Sequence, residues 1–154
     1  MAVVGPGEGS PADLGSAEAV GYGLAGRGAV LVCGGLGGAM EAACRGAKRG
    51  GGTTVGILPG SDRRAANDYV DVAVPTGLAE GRNLLVVRAA DAVVAVAGAY
   101  GTLSEIAFAL RAGTPVVGLL TWELSREGNP DESIIRAATP EEAVELALAA
   151  ASGR

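Results

Sequence analysis

Short Val-rich apolar runs alternate along the chain with longer, Ala-rich helical stretches. A run of roughly 4–8 apolar residues suits a strand, and continuous rather than alternating apolarity suits a strand covered on both faces. Strands are therefore expected at Ala2–Gly5, Ala29–Gly34, Thr53–Leu58, Val70–Pro75, Ala92–Ala97, Pro115–Leu120 and Ser133–Ala137. Two helix starts are well marked. Ser10-Pro11-Ala12-Asp13 supplies an N-cap, a first-turn proline and an acid three residues on, and Thr139-Pro140-Glu141-Glu142 repeats the arrangement. Further helices are expected near Gly38–Arg49, Leu78–Ala90 and Thr102–Ala112, the last closed by Gly113 and followed by Pro115. Such alternation winds a parallel sheet with helices above and below it. No linker divides the chain, so residues 1–154 are expected to form a single α/β, doubly wound domain whose mostly parallel sheet has about seven strands, with helices on both faces. Gly60–Asn67 and Trp122–Asp131 read as polar, turn-rich loops, and no repeat at solenoid spacing is present.

Composition narrows the chemistry. With 49% hydrophobic residues the chain is too apolar for disorder, yet no apolar run reaches the ~20 residues a membrane span needs. The absence of histidine removes Ser-His-Asp and Cys-His nucleophiles, His-ligated zinc and imidazole proton shuttles. Proton transfer then falls to carboxylates, Tyr, Lys, Cys or water. A formal charge of -5 argues against a groove that tracks nucleic-acid phosphates, while leaving room for a local basic pocket. Cys33 and Cys44 are too few for a disulfide framework and lack metal-ligand spacing, so both read as buried small residues and no metal site is expected. The opening MAVVGPGEGS has neither a basic n-region nor a long apolar h-region, and a cytoplasmic protein is expected.

Three of the chain's glycine clusters fall just after expected strands: Gly5-Pro6-Gly7-Glu8-Gly9, Gly34-Gly35-Leu36-Gly37-Gly38 and Gly98-Ala99-Tyr100-Gly101-Thr102. Ligands of open α/β sheets bind beyond the carboxyl ends of the strands, where loops without side chains let backbone N–H groups approach a phosphate at a helix N-terminus. Tight βα turns alone would also account for each cluster taken singly. A literal G-x-G-x-x-G at Gly21, Gly23 and Gly26 ends a helix and precedes a strand, the reverse of a dinucleotide fingerprint, and is discarded. No P-loop motif occurs.

The segment Arg82 to Glu105, RNLLVVRAADAVVAVAGAYGTLSE, resembles the Lonely Guy proteins and their lysine-decarboxylase-like relatives of Rossmann-like fold. Arg82 stands nine residues before Asp91, at the family's spacing, and Ala97-Gly98-Ala99-Tyr100-Gly101-Thr102-Leu103-Ser104-Glu105 fits its Pro-Gly-Gly-x-Gly-Thr-x-x-Glu loop. Gly34-Gly35 with Gly38-Ala39-Met40 is similar to an earlier family segment. There are departures: Ala97-Gly98-Ala99 replaces Pro-Gly-Gly, Asn83 replaces a Lys, and Glu41 follows Met40 where glycine is usual. These features look more like the branch containing the molybdenum cofactor carrier proteins, which bind an anionic pterin phosphate. The resemblance thus implies a carrier-like protein for a phosphorylated heterocycle, a nucleotide or molybdopterin-type cofactor. The alternative is a nucleoside 5'-monophosphate phosphoribohydrolase; lysine decarboxylation is not expected. A third reading, a DNA-processing protein with a related core, fits the negative charge poorly.

The resemblance makes Arg82 and Glu105 the catalytic pair if the protein is an enzyme, and assigns ligand or phosphate contacts to Gly7, Gly34, Gly35, Gly38, Met40, Asn83, Gly98, Tyr100, Gly101 and Thr102. Glu105 would stabilise an oxocarbenium-like state or orient water. Equally, Thr102-Leu103-Ser104-Glu105 has the spacing of a capping box, and the two roles are compatible. Arg82 would clamp a phosphate or ribose with a planar, permanently charged fork, or else lie in solvent. Tyr100 would stack on a ring or sit at a rim. Arg88 is expected in solvent, Glu41 and Arg45 as a helical ion pair, and Arg63 and Arg64 as solvated loop charges or a lid. Trp122 would cover the crevice or an inter-subunit surface. No cofactor is required for the chemistry; molybdenum cofactor or a nucleoside monophosphate is the candidate bound ligand. A homodimer or homotetramer is implied, with neither membrane nor nucleic acid as partner.

Overall fold

A computed structural model describes residues 1–153. Its sheet has seven strands, all parallel: β1 (Ala2–Val4), β2 (Leu31–Cys33), β3 (Thr54–Leu58), β4 (Val72–Pro75), β5 (Val93–Val96), β6 (Val116–Leu119) and β9 (Ile134–Ala137), in the spatial order β4-β3-β2-β1-β5-β6-β9. Successive strands step outward from β1 in one direction as far as β4, and β5 then returns to the other side of β1. That reversal leaves a crevice beyond the carboxyl ends of β1 and β5, where a doubly wound sheet binds its ligands.

Helices α1 (Pro11–Gly26), α2 (Ala39–Arg49) and α5 (Pro140–Ser152) bury one face, around Val3, Leu31, Val94 and Leu119. Helices α3 (Asn83–Arg88) and α4 (Tyr100–Ala112) cover the other, around Ala2, Val4, Val93 and Val116. Strand residues are apolar on both sides for this reason, and strand register carries Ala2, Val32 and Val55 along one row of the second face. Among the described residues no helix is long and apolar enough to cross a membrane.

The discarded glycine pattern in α1 has a packing role. A Cβ at Gly21 would lie 2.0 Å from the Ala43 carbonyl oxygen of α2, and one at Gly46 would lie 1.9 Å from that of Glu18, so the two backbones touch directly. This approach also redirects a side chain. Arg45 donates to Glu18 of α1 from Nε at 3.0 Å and Nη2 at 2.9 Å, in place of the expected pairing with Glu41 on its own helix.

Two elements depart from the sequence expectation. The helix expected over Leu78–Ala90 is divided: Ala79 takes φ +48, a 3-10 turn runs over Ala79–Arg82, and the α-helix is confined to Asn83–Arg88. The loop expected at Trp122–Asp131 contains an antiparallel hairpin, β7 (Leu124–Arg126) and β8 (Asn129–Asp131). Its two-residue turn places Glu127 at φ 53 and Gly128 at φ 80, the left-handed pair that a tight hairpin requires.

Candidate ligand site

A cavity of about 170 Å³ opens at the β1/β5 reversal, lined by Gly5, Pro6 and Gly7 after β1, Met40 of α2, Arg82 and Asn83, and Ala99, Gly101, Thr102 and Glu105 at the start of α4. A wider opening shares Pro6 and Ala99 with it and continues past Gly9, Gly98 and Leu120. The smaller cavity is below the roughly 300 Å³ of a typical small-molecule pocket, so it suits one end of a ligand whose remainder extends outward.

Three helices start near this crevice, and their caps separate them. The α1 N-terminus is occupied by its own acid: Ser10 Oγ accepts from the Asp13 N–H at 3.2 Å, and the Asp13 carboxylate accepts from the Ser10 N–H at 3.0 Å. Helix α2, behind Gly38, also lacks a side-chain cap, but its first N–H, that of Ala39, donates to the Pro6 carbonyl at 3.0 Å. Helix α4 begins behind Ala99 with no side-chain cap, which leaves first-turn N–H groups and the positive end of the helix dipole beside the cavity.

Glu105 does not cap α4. The helix starts at Tyr100, three residues earlier than a Thr102 cap would require, so Thr102 lies inside its first turn and Glu105 turns into the cavity with 6% exposure. Arg82, 8% exposed, ends the 3-10 turn, and its Nη1 stands 3.7 Å from Glu105 Oε1, an ion pair without a hydrogen bond. Arg82 Nε and Thr102 Oγ1 are buried and have no hydrogen-bond partner among the described residues. Such groups each cost about 1–3 kcal/mol unless something completes them. Burial pushes the Glu105 carboxyl up to about 7, against the opposing pull of Arg82. Asn83 Nδ2 donates to Ser104 Oγ at 3.3 Å, which in turn donates to the Gly101 carbonyl at 2.7 Å, tying α3 to the first turn of α4.

Of the residues singled out in the sequence, Gly7, Met40, Arg82, Asn83, Gly101, Thr102 and Glu105 line the cavity together. Gly34 stands behind it: a Cβ there would meet the Arg82 guanidinium at 2.5 Å and Met40 Sδ at 2.6 Å, so its bare backbone is what admits the arginine. Gly35 packs on Leu58 and Gly56, and Gly38, at φ +64, packs on the carbonyls of Pro6 and Gly7. Gly98 lines the wider opening and lies under Trp122. The Trp122 indole donates to the Ala99 carbonyl at 3.3 Å, with its ring centroid 5.6 Å from that of Tyr100, which is 81% exposed. Gly5, Pro6 and Ala99 are lining residues that the sequence reading misses, although each lies within a recognised glycine cluster. Arg63, Arg64 and Arg88 are exposed, Arg64 pairing with Asp62 at 2.9 Å. Asp91 is exposed at the opposite end of the strands, beside Met1. Cys33 and Cys44 are buried as free thiols, their sulfurs 3.4 Å apart.

Because a Cβ at Gly98 would come within 2.8 Å of the indole, Gly98→Val is expected to displace Trp122. Trp122 is the sole tryptophan, so a red-shifted emission spectrum with little change in far-UV dichroism reads that displacement directly. An unchanged spectrum would contradict the contact.

Comparison with known proteins places this geometry. An uncharacterized protein of Archaeoglobus fulgidus is 43% identical over 119 residues, covering 77% of this chain and 78% of the relative. The structure of the molybdenum cofactor binding protein from Rippkaea orientalis matches with a TM-score of 0.86 and 37% identity, over 96% of this chain and 94% of that one. The molybdenum cofactor carrier protein of Chlamydomonas reinhardtii matches with a TM-score of 0.86 and 32% identity, over 98% and 96%. DNA processing protein A of Helicobacter pylori, at 18% identity and a TM-score of 0.70 over 96% and 79%, shares the fold alone. The model of the SLOG cluster4 family matches residues 1–144, and the chain belongs to that family.

Proposed function

We propose that this protein binds a phosphorylated heterocycle, with molybdenum cofactor as the favoured ligand, and carries it without cleaving it. The single observation that bears most weight is the unfinished hydrogen bonding in the cavity: Arg82 Nε and Thr102 Oγ1 are buried without partners beside an uncapped helix N-terminus. Donors with nothing to donate to fit an oxyanion. The phosphate of a pterin cofactor would meet Arg82, Thr102 and the first-turn N–H groups of α4, and the ring would extend toward Gly98 and Tyr100. The cofactor itself would bring the metal centre, for which the described residues hold no His/Cys/Asp/Glu cluster. The similarity to the molybdenum cofactor binding protein of Rippkaea and the molybdenum cofactor carrier protein of Chlamydomonas favours this reading over a nucleotide.

The hydrolase reading draws on Glu105, since a buried carboxyl beside Arg82 is what cleavage of an N-glycosidic bond would use. Incubation with adenosine and modified-adenosine 5'-monophosphates, followed by chromatography, separates the two. No base release above the uncatalysed rate is expected. Turnover that Glu105→Gln abolishes would overturn pure carriage.

A further inference from the structure

The cavity poses a charge problem that points beyond anion binding. A ligand oxyanion seated against the α4 N-terminus would share about 170 Å³ with the Glu105 carboxyl. One cation serves both: Arg82 faces Glu105 at 3.7 Å from the turn before α3. The other elements around the cavity present neutral groups, namely Gly5, Pro6 and Gly7 after β1, Met40 of α2, Asn83 of α3 and Thr102 of α4. The Cys33 thiol at the end of β2 is a further titratable group close enough to feel the Glu105 charge. Among the described residues no hydrogen bond reaches the Glu105 carboxyl, so nothing holds it in the ionised form except that distant guanidinium. Two negative groups at close quarters beside a single buried cation repel strongly, and the ordinary resolution is for one of them to take up a proton. Of the other polar side chains on the cavity wall, Arg82 and Asn83 carry N–H donors and the Thr102 hydroxyl can act as one.

We propose that the cavity binds its oxyanion together with a proton, which Glu105 holds in the complex while donating a hydrogen bond to the ligand. This rests on the oxyanion reading given above. Protonation frees Arg82 from Glu105 and turns its fork to the ligand. A carboxyl that titrates near neutrality, as burial makes Glu105 do, needs little free energy to be brought over at physiological pH. Binding is then linked to pH with a definite sign: ligand raises the Glu105 midpoint, and alkaline conditions release the ligand.

Sulfate is the probe, because it is tetrahedral and keeps its full charge across the range, so any proton taken up belongs to the protein. The chain, labelled with 13C at glutamate side-chain carboxyls and 15N at amides, is titrated between about pH 5 and pH 9 with and without sulfate, with Glu105→Gln assigning the resonance. Saturable shifts at the Gly101 and Thr102 amides, with the Glu105 midpoint rising by about one pH unit or more, are expected. The wild-type affinity should fall by up to about tenfold per pH unit between the free and the sulfate-bound Glu105 midpoints and level off above the latter, while that of Glu105→Gln, neutral throughout, should not follow this pH dependence. Saturable amide shifts with an unmoved or lowered Glu105 midpoint would overturn the proton uptake and leave anion binding standing. Absence of amide shifts even at about pH 5 would overturn both.

Discussion

Gly21→Ala is expected to lower the melting temperature by about 6–12 °C, whereas Gly15→Ala in the same helix is expected to raise it by about 1–4 °C. The opposite signs follow from what each added methyl meets. At Gly21 it lands 2.0 Å from the Ala43 carbonyl oxygen, a backbone atom that cannot move without carrying α2 away from α1. Overpacking costs typically 1–3 kcal/mol, and a clash with backbone belongs at the upper end, about 3 kcal/mol. For a domain of this size each kcal/mol is worth about 2–4 °C. A methyl added at Gly15 would have no atom within 4 Å, so alanine there contributes helix propensity of about 0.5–1 kcal/mol. Calorimetry of the two variants beside wild type checks both; a Gly21→Ala protein as stable as wild type would refute the close helix contact.

Arg82→Met is expected to weaken ligand binding by roughly 30- to 1000-fold, about 2–4 kcal/mol for loss of a buried charged donor. The side chain is 9% exposed and passes over Gly34, so methionine fills similar space without the charge. The variant should remain folded. Losing Arg82 removes the one influence that lowers the Glu105 midpoint, so the carboxyl moves above about 7 and stays neutral at physiological pH. A neutral Glu105 without Arg82 leaves no unpaired charge in the site. Carboxyl NMR therefore gives a second reading on the same protein: the Glu105 midpoint should rise in Arg82→Met, and an unchanged midpoint would show that the two groups do not interact.

Much of the fold could be read from the chain because its strands are parallel and buried on both faces, which makes runs such as Val93–Val96 continuously apolar. The hairpin after β6 was not legible. Its strands are three residues each, polar and partly exposed, one contains Pro130, and the only signal was the Glu127-Gly128 pair. The break before α3 was hidden too, because a left-handed alanine at position 79 leaves no mark in composition.

The site was legible in its residue types and ambiguous in their roles. Thr-x-x-Glu reads identically as a capping box and as a loop followed by an inward acid; where α4 begins decides between them, and that depends on the conformation of Ala99. The glycines pose the same difficulty. Gly101 lines the cavity, Gly34 makes room for Arg82, Gly38 meets the β1 loop, and Gly21 joins two helices, yet each is the same letter in the sequence. What distinguishes them is what a side chain would meet: open space at Gly101, but the distant Arg82, Gly7 and Ala43 at Gly34, Gly38 and Gly21.

The arrangement proposed above has Arg82 and the α4 N-terminus hold the phosphate of a pterin cofactor. It is tested most directly by purifying wild type and Arg82→Met from a host that makes molybdenum cofactor, and measuring oxidised-pterin fluorescence per mole of protein. Pterin is expected with the wild type and, where cofactor is limiting, about 30-fold less or lower with Arg82→Met, the floor set by the loss of about 2 kcal/mol. Equal pterin on both proteins, or none on the wild type, would contradict it.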